Sequence, residues 1–226
     1  MRTPLLVINF KNYQEISGKN SIRLAEYAER VARREDVEVV VCPPLPFLAE
    51  VARIVGIPVL AQHTDSKTMG STTGSIVPEM LKSIGVRGSL VNHSERRIPF
   101  QEVKTTIARL KEAGLYAFAC ARTPREISRI ATLSPDFLAI EPPELIGTGR
   151  AVSKVEPKLV SSSVAAAAEV DRDVIVICGA GIVSAEDVEV SLKLGASGVL
   201  VSSAIVKASN WERKIAELAS PLAKSR

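Results

Sequence analysis

Three short stretches carry side chains able to move a proton and steady a negative charge. They are Asn9-Phe10-Lys11, Asn92-His93-Ser94-Glu95-Arg96-Arg97, and Glu141 followed by Pro142-Pro143-Glu144-Leu145-Ile146-Gly147-Thr148-Gly149. A carboxylate such as Glu141 suits general base chemistry. A neutral imidazole such as His93 donates a hydrogen bond to a developing oxyanion, and Lys11 places a fixed positive charge over an anion. A fourth stretch, Gly179-Ala180-Gly181, has no reactive side chain. Its small residues let backbone N–H groups approach an anion, as do Ser202-Ser203 further on. Each motif also has a plainer reading: a solvated lysine, a packing or capping histidine, a surface loop, a tight turn. Cys42, Cys120 and Cys178 have no neighbour that would activate a thiolate, so they read as small buried hydrophobes.

The elements that must position these residues repeat eight times. A short Val/Ile/Leu run is followed by a turn signal and then by helical periodicity. The strands are expected at 5–10, 37–42, 58–62, 89–92, 116–120, 137–140, 174–178 and 199–201. Helices are expected at 21–34, 100–113, 158–169, 185–194 and 211–223, with Gly56, Gly85, Gly114 and Gly195 as left-handed stops. No Pro/Gly/Ser-rich linker interrupts the 226 residues, so residues 1–226 are expected to form a single domain. Eight β-α units without a linker predict an α/β fold, a single eight-fold β/α barrel; an open doubly wound sheet is the alternative. Barrels place chemistry at the C-terminal ends of their strands, and phosphate sites after strands seven and eight. Every stretch named above falls at such an end. On strand one, alternation puts Asn9 and Lys11 on one face and Phe10 on the other. At strand four, a helix starting directly after His93 would disfavour the imidazolium through its dipole.

Composition narrows the function classes. The chain is 46% hydrophobic but only 4% aromatic, which suits Val/Ile/Leu/Ala strands covered on both faces. The net charge of +4 permits an anionic partner, but basic residues are interspersed with acidic ones, which argues against nucleic acid. Three cysteines without CxxC spacing predict neither a disulfide framework nor a metal site, and point to a reducing compartment. The short apolar start and the lack of a bilayer-length run predict a cytoplasmic protein with no membrane partner.

Taken in order along essentially the whole chain, these motifs resemble the triosephosphate isomerase family in its short archaeal form. The resemblance implies interconversion of dihydroxyacetone phosphate and D-glyceraldehyde 3-phosphate through an enediolate, in glycolysis and gluconeogenesis, with no cofactor. It implies that Glu141 takes and returns the proton, His93 acts as a neutral electrophile, and Lys11 and Asn9 steady the oxyanion. Glu95 would hold Lys11 or its surroundings. Gly147, on a lid over 142–152, would grip phosphate with the N–H groups of Gly181, Ser202 and Ser203. It also implies a homo-oligomer, at least a dimer and by expectation a tetramer, in which Thr73 at the tip of the 63–74 loop supports the partner's lysine or asparagine. Three departures stand out: a short 121–136 connection, Glu144 where the common enzymes carry tryptophan, and Ser202-Ser203 where many relatives have Gly-Gly. Another phosphate-binding barrel isomerase or epimerase is the alternative activity, and a silent scaffold on the same fold is the non-enzymatic one.

Overall fold

The computed structural model describes residues 1–142, 151 and 156–225. Eight parallel strands run β1 (Leu5–Asn9), β2 (Glu38–Cys42), β3 (Leu60–Ala61), β4 (Gly88–Val91), β5 (Tyr116–Ala121), β6 (Phe137–Ile140), β7 (Ile175–Cys178) and β8 (Gly198–Val201). Their hydrogen-bonded order is β2-β1-β8-β7-β6-β5-β4-β3. The two ends of that order meet through a parallel bridge, Val41 to Val59, where Val41 N–H donates to the Pro58 carbonyl at 3.1 Å. The sheet is thereby rolled into a barrel, as the repeat of β-α units predicts, and not left open.

Alternation along the strands sorts the core into two layers. Leu5, Val7, Leu90, Phe118, Phe137 and Leu200 fill the barrel interior, where the Phe118 and Phe137 rings stack at 4.1 Å. Their neighbours, such as Leu6, Ile8, Val91, Ala119, Leu138 and Val201, face outward under the helices. Burying a Val, Leu or Ile side chain stabilises a fold by about 1.5–3 kcal/mol. Cys42 and Cys120 lie in the inner layer, and Cys178 in the outer. Burial pushes the Cys42 and Cys120 thiols well up, which suits inert packing groups.

The described helices are α1 (Lys19–Glu35), α2 (Leu45–Ile54), α3 (Pro78–Ser83), α4 (Phe100–Glu112), α5 (Pro124–Ala131), α6 (Pro157–Ala168), α7 (Ala185–Lys193), α8 (Ser203–Val206) and α9 (Trp211–Lys224). In α1 the buried Leu24, Ala25, Ala28, Val31 and Ala32 recur at helical spacing and form its core face. Local chemistry fixes the starts. Thr123 accepts from Glu126 N–H ahead of α5, and Ser184 and Asp187 form a reciprocal capping box ahead of α7.

Gly85, Gly114 and Gly195 have positive φ after α3, α4 and α7, as expected. Gly56 does not: α2 ends on an extended Val55, and Gly56 instead donates its N–H to Glu29 of α1 at 2.8 Å. That stop is set by a tertiary contact and not by a left-handed turn.

Among the described residues, no helix is long and apolar enough to cross a membrane.

Candidate active site

The C-terminal end of β1 delivers Asn9 and Lys11. Asn9 continues the inward register of Leu5 and Val7 and is 3% exposed. Its Oδ1 accepts the Lys11 N–H at 3.0 Å. Lys11 stands in the left-handed region, with φ of 52°. A non-glycine residue pays for that conformation, so something must hold it. Besides the Asn9 bond, Gln62 Nε2 donates to the carbonyls of Lys11 and Cys42, each at 3.0 Å. The Lys11 ammonium lies 2.7 Å from Glu95 Oε1. Sequence reasoning passed over Gln62. Its position at the end of the expected third strand was the only available signal.

His93 follows β4 and is 7% exposed. Asn92 shapes the segment after it. Asn92 has a φ of 62°, donates from Nδ2 to the Cys120 carbonyl and accepts from Ile98 N–H. Arg97 braces the same backbone by donating to the Asn92 carbonyl and to Glu126. No helix starts directly after His93. Residues 93–96 form a turn closed by Arg96 N–H to the His93 carbonyl, and α4 starts only at Phe100. The tautomer is set within that turn: Glu95 N–H donates to His93 Nδ1 at 3.2 Å. With Nδ1 as acceptor there, the contact suits a neutral ring whose proton is on Nε2. Nε2 lies 3.5 Å from Asn9 Nδ2 and 3.4 Å from Glu141 Oε1.

Glu141 extends the inward register of Phe137 and Ala139 past the end of β6 and is 1% exposed. Ser94 N–H approaches Oε2 at 3.4 Å, whereas Oε1 has no hydrogen-bond partner among the described residues. Burial raises the carboxyl above its ordinary value of 4.5. Cys120, Ser94 N–H and the positive charge of Lys11 pull the other way without reversing it. A carboxylate held dry with one unpartnered oxygen is a stronger base than one in water.

Gly181, Ser202 and Ser203 share a cavity of about 40 Å³ with Lys11, His93 and Glu141. Gly181 has a φ of 72°, and Ser202 precedes α8 as its N-cap residue. A wider cavity of about 630 Å³ opens beside it, lined by Asn9, Lys11, His93 and Glu95 on one side and by Tyr13 and Leu45 on the other. Of these two cavities, the smaller is the one lined by Glu141. Thr73 is exposed on the 63–74 loop. The base of that loop is tied by His63 Nε2 to Asp65 at 3.1 Å and by Asp65 to Ile76 N–H at 2.7 Å. Gly147 and most of the expected lid lie outside the described residues.

This arrangement can take a proton from a carbon, donate a hydrogen bond to the oxygen beside it, and hold an anion at the far end. The triosephosphate isomerase family model matches residues 4–219. The chain is 46% identical to the triosephosphate isomerase of Archaeoglobus fulgidus over 95% of its own length and 96% of the relative's. It is 44% identical to that of Methanocaldococcus jannaschii, over 95% and 98% of the two chains. For the Caldivirga maquilingensis enzyme the identity is 43%, over 98% and 99%.

Proposed function

Because this chain belongs to the triosephosphate isomerase family, we propose that it interconverts dihydroxyacetone phosphate and D-glyceraldehyde 3-phosphate by proton transfer through an enediolate. The observation that carries the reading is the buried Glu141 carboxylate, its Oε1 without a hydrogen bond among the described residues and 3.4 Å from His93 Nε2. Glu141 removes the proton from the carbon next to the carbonyl and returns it to the neighbouring carbon. His93 donates from Nε2–H to the oxygens as charge moves between them. Lys11, steadied by Glu95, supplies the positive charge that favours the enediolate, and Asn9 supports the same oxyanion. This division of labour between a glutamate base and a neutral histidine is the one established for the enzyme family.

The phosphate end of the substrate is assigned to the backbone N–H groups of Gly181, Ser202 and Ser203, joined by Gly147 from the lid. Closing such a lid excludes water and protects the intermediate. Residues 1–226 act as one unit in this reading. Its setting is the reducing cytoplasm, which suits three cysteines without CxxC spacing.

The working form is assigned as a homo-oligomer, at least a dimer and in our reading a tetramer. The wide cavity beside Lys11 and His93, with Leu45 53% exposed at its edge, suits the docking of a partner's 63–74 loop. Thr73 of that loop would then support Lys11 or Asn9 across the interface.

The test is a coupled assay with D-glyceraldehyde 3-phosphate on the parent chain and on Glu141→Gln. The amide keeps the shape and removes the basicity, so turnover is expected to fall by roughly two to four orders of magnitude. A variant within about a factor of five of the parent, against that scale, would end the assignment of the base.

A further inference from the structure

Gly179 is the first residue past β7, and its N–H donates to the Ile140 carbonyl at 3.0 Å. That bond seats it directly beside Glu141. Its φ is not in the left-handed region, so the backbone there accepts any residue. The space beside it does not. A β-carbon on Gly179 would meet Glu141 Cγ at 2.6 Å, Oε1 at 3.2 Å and Cδ at 3.3 Å. Its three nearest neighbours are thus all atoms of one side chain.

Other close approaches in the barrel differ in kind. A β-carbon on Gly88 would meet the Tyr116 carbonyl and one on Gly198 the Leu5 carbonyl, so those glycines let strand backbones pass. Gly179 makes room for a carboxylate.

We propose that Gly179 is a positioning residue for the reaction: its missing side chain is the slot in which the Glu141 carboxylate lies, with Oε1 turned toward His93. The inference rests on the assignment of Glu141 as the base. Ordinary carbon contacts begin near 3.4 Å, so alanine at 179 pushes the glutamate away by about 1 Å. The barrel wall carrying β5 and β6 cannot yield by that much without opening a void elsewhere. A misplacement of about 1 Å at a reacting group costs roughly a hundredfold in rate.

Two measurements on the full chain test this. In the first, Gly179→Ala lowers kcat roughly tenfold to a hundredfold, while KM and inhibition by inorganic phosphate stay within about a factor of three. A loss of folded protein would lower kcat too, so circular dichroism and Tm are read on the same samples. A kcat unchanged from the parent, or a loss carried by KM, overturns the proposal.

The second measurement needs no activity. Gly179→Ala is made in the parent and in a Glu141→Ala background, and Tm is compared around the cycle. The alanine is expected to cost about 4 °C or more in the parent, the scale of an overpacked core, and almost nothing once the glutamate is shortened. Folding of the double variant where Gly179→Ala alone fails to fold supports the same conclusion. An equal cost in both backgrounds, or failure of both to fold, shows that something other than Glu141 fills the space and overturns it. The thermal cycle reports packing alone. Activity retained in Glu141→Gln would therefore defeat the base assignment while leaving the slot to stand or fall separately.

Discussion

At the scale of single residues, Glu141 trades stability for reactivity. Its carboxyl is raised above 4.5 by burial. For the reaction the sign is simple: the carboxylate is the active form, so kcat/KM should fall as pH drops through the raised value, earlier than for an exposed glutamate. A kcat/KM profile that stays flat down to pH 4.5 would contradict this. For folding the sign is opposite. A folded pKa above the unfolded one contributes stability that is present below the unfolded value and lost as pH rises through the folded value. At neutral pH the buried charge is therefore a liability, and Glu141→Gln should raise Tm by about 2–4 °C, equivalent to about 1 kcal/mol for a chain of this size. Thermal scans at pH 7 and pH 4 check it, with the advantage of glutamine shrinking at the lower pH. An advantage of the same size at both would show that titration is not the cause.

At the scale of elements, the strand ends set the geometry by backbone bonds as much as by side chains. Gln62 pins the carbonyl of Lys11, whose backbone is left-handed. Gln62→Ala removes two hydrogen bonds and frees that segment. For a part-buried side chain, losing a hydrogen bond costs about 0.5–1.5 kcal/mol each, and part of this should appear as weaker binding, with KM rising up to about tenfold and kcat falling less. Steady-state kinetics with unchanged KM would show that Lys11 is held without Gln62. The strands themselves depend on close approach. Gly88 sits where a β-carbon would collide with the Tyr116 carbonyl, so Gly88→Ala should part β4 from β5. Overpacking of this kind costs about 1–3 kcal/mol or more, and chemical denaturation should show it.

At the scale of the whole molecule, the proposed oligomer makes the site a property of the assembly. The cavity of about 630 Å³ reaches from Lys11 and His93 to the exposed Leu45. Met69, 58% exposed on the 63–74 loop, supplies an apolar group of the kind that such a socket covers. Sedimentation velocity across a dilution series should give species well above 24.2 kDa, with activity lost as they dissociate. A fully active species at the monomer mass would refute a site completed across the interface.

The sequence by itself determined the architecture and put the candidate reacting groups at the strand ends. Eight Val/Ile/Leu runs at regular intervals leave few folds in which each can be covered on both faces, and a barrel is the one without an edge. Period-two alternation already put Asn9 and Lys11 on one face, because side-chain direction in a strand follows from counting residues. What counting could not supply was the distance between segments far apart in the chain. A helix dipole was expected to act on His93, but α4 begins only at Phe100, and the N–H that meets Nδ1 comes from Glu95 in a turn. Gln62 and Gly179 carried no chemistry that a sequence could signal. One acts by hydrogen bonds to carbonyls of two other strand ends, the other by the volume that it leaves to Glu141. Such roles exist only once β1, β2, β3, β6 and β7 stand side by side. Residue type and spacing are local properties, whereas the desolvation, orientation and free space that turn a glutamate into a base are set by neighbours that only the closed barrel brings together.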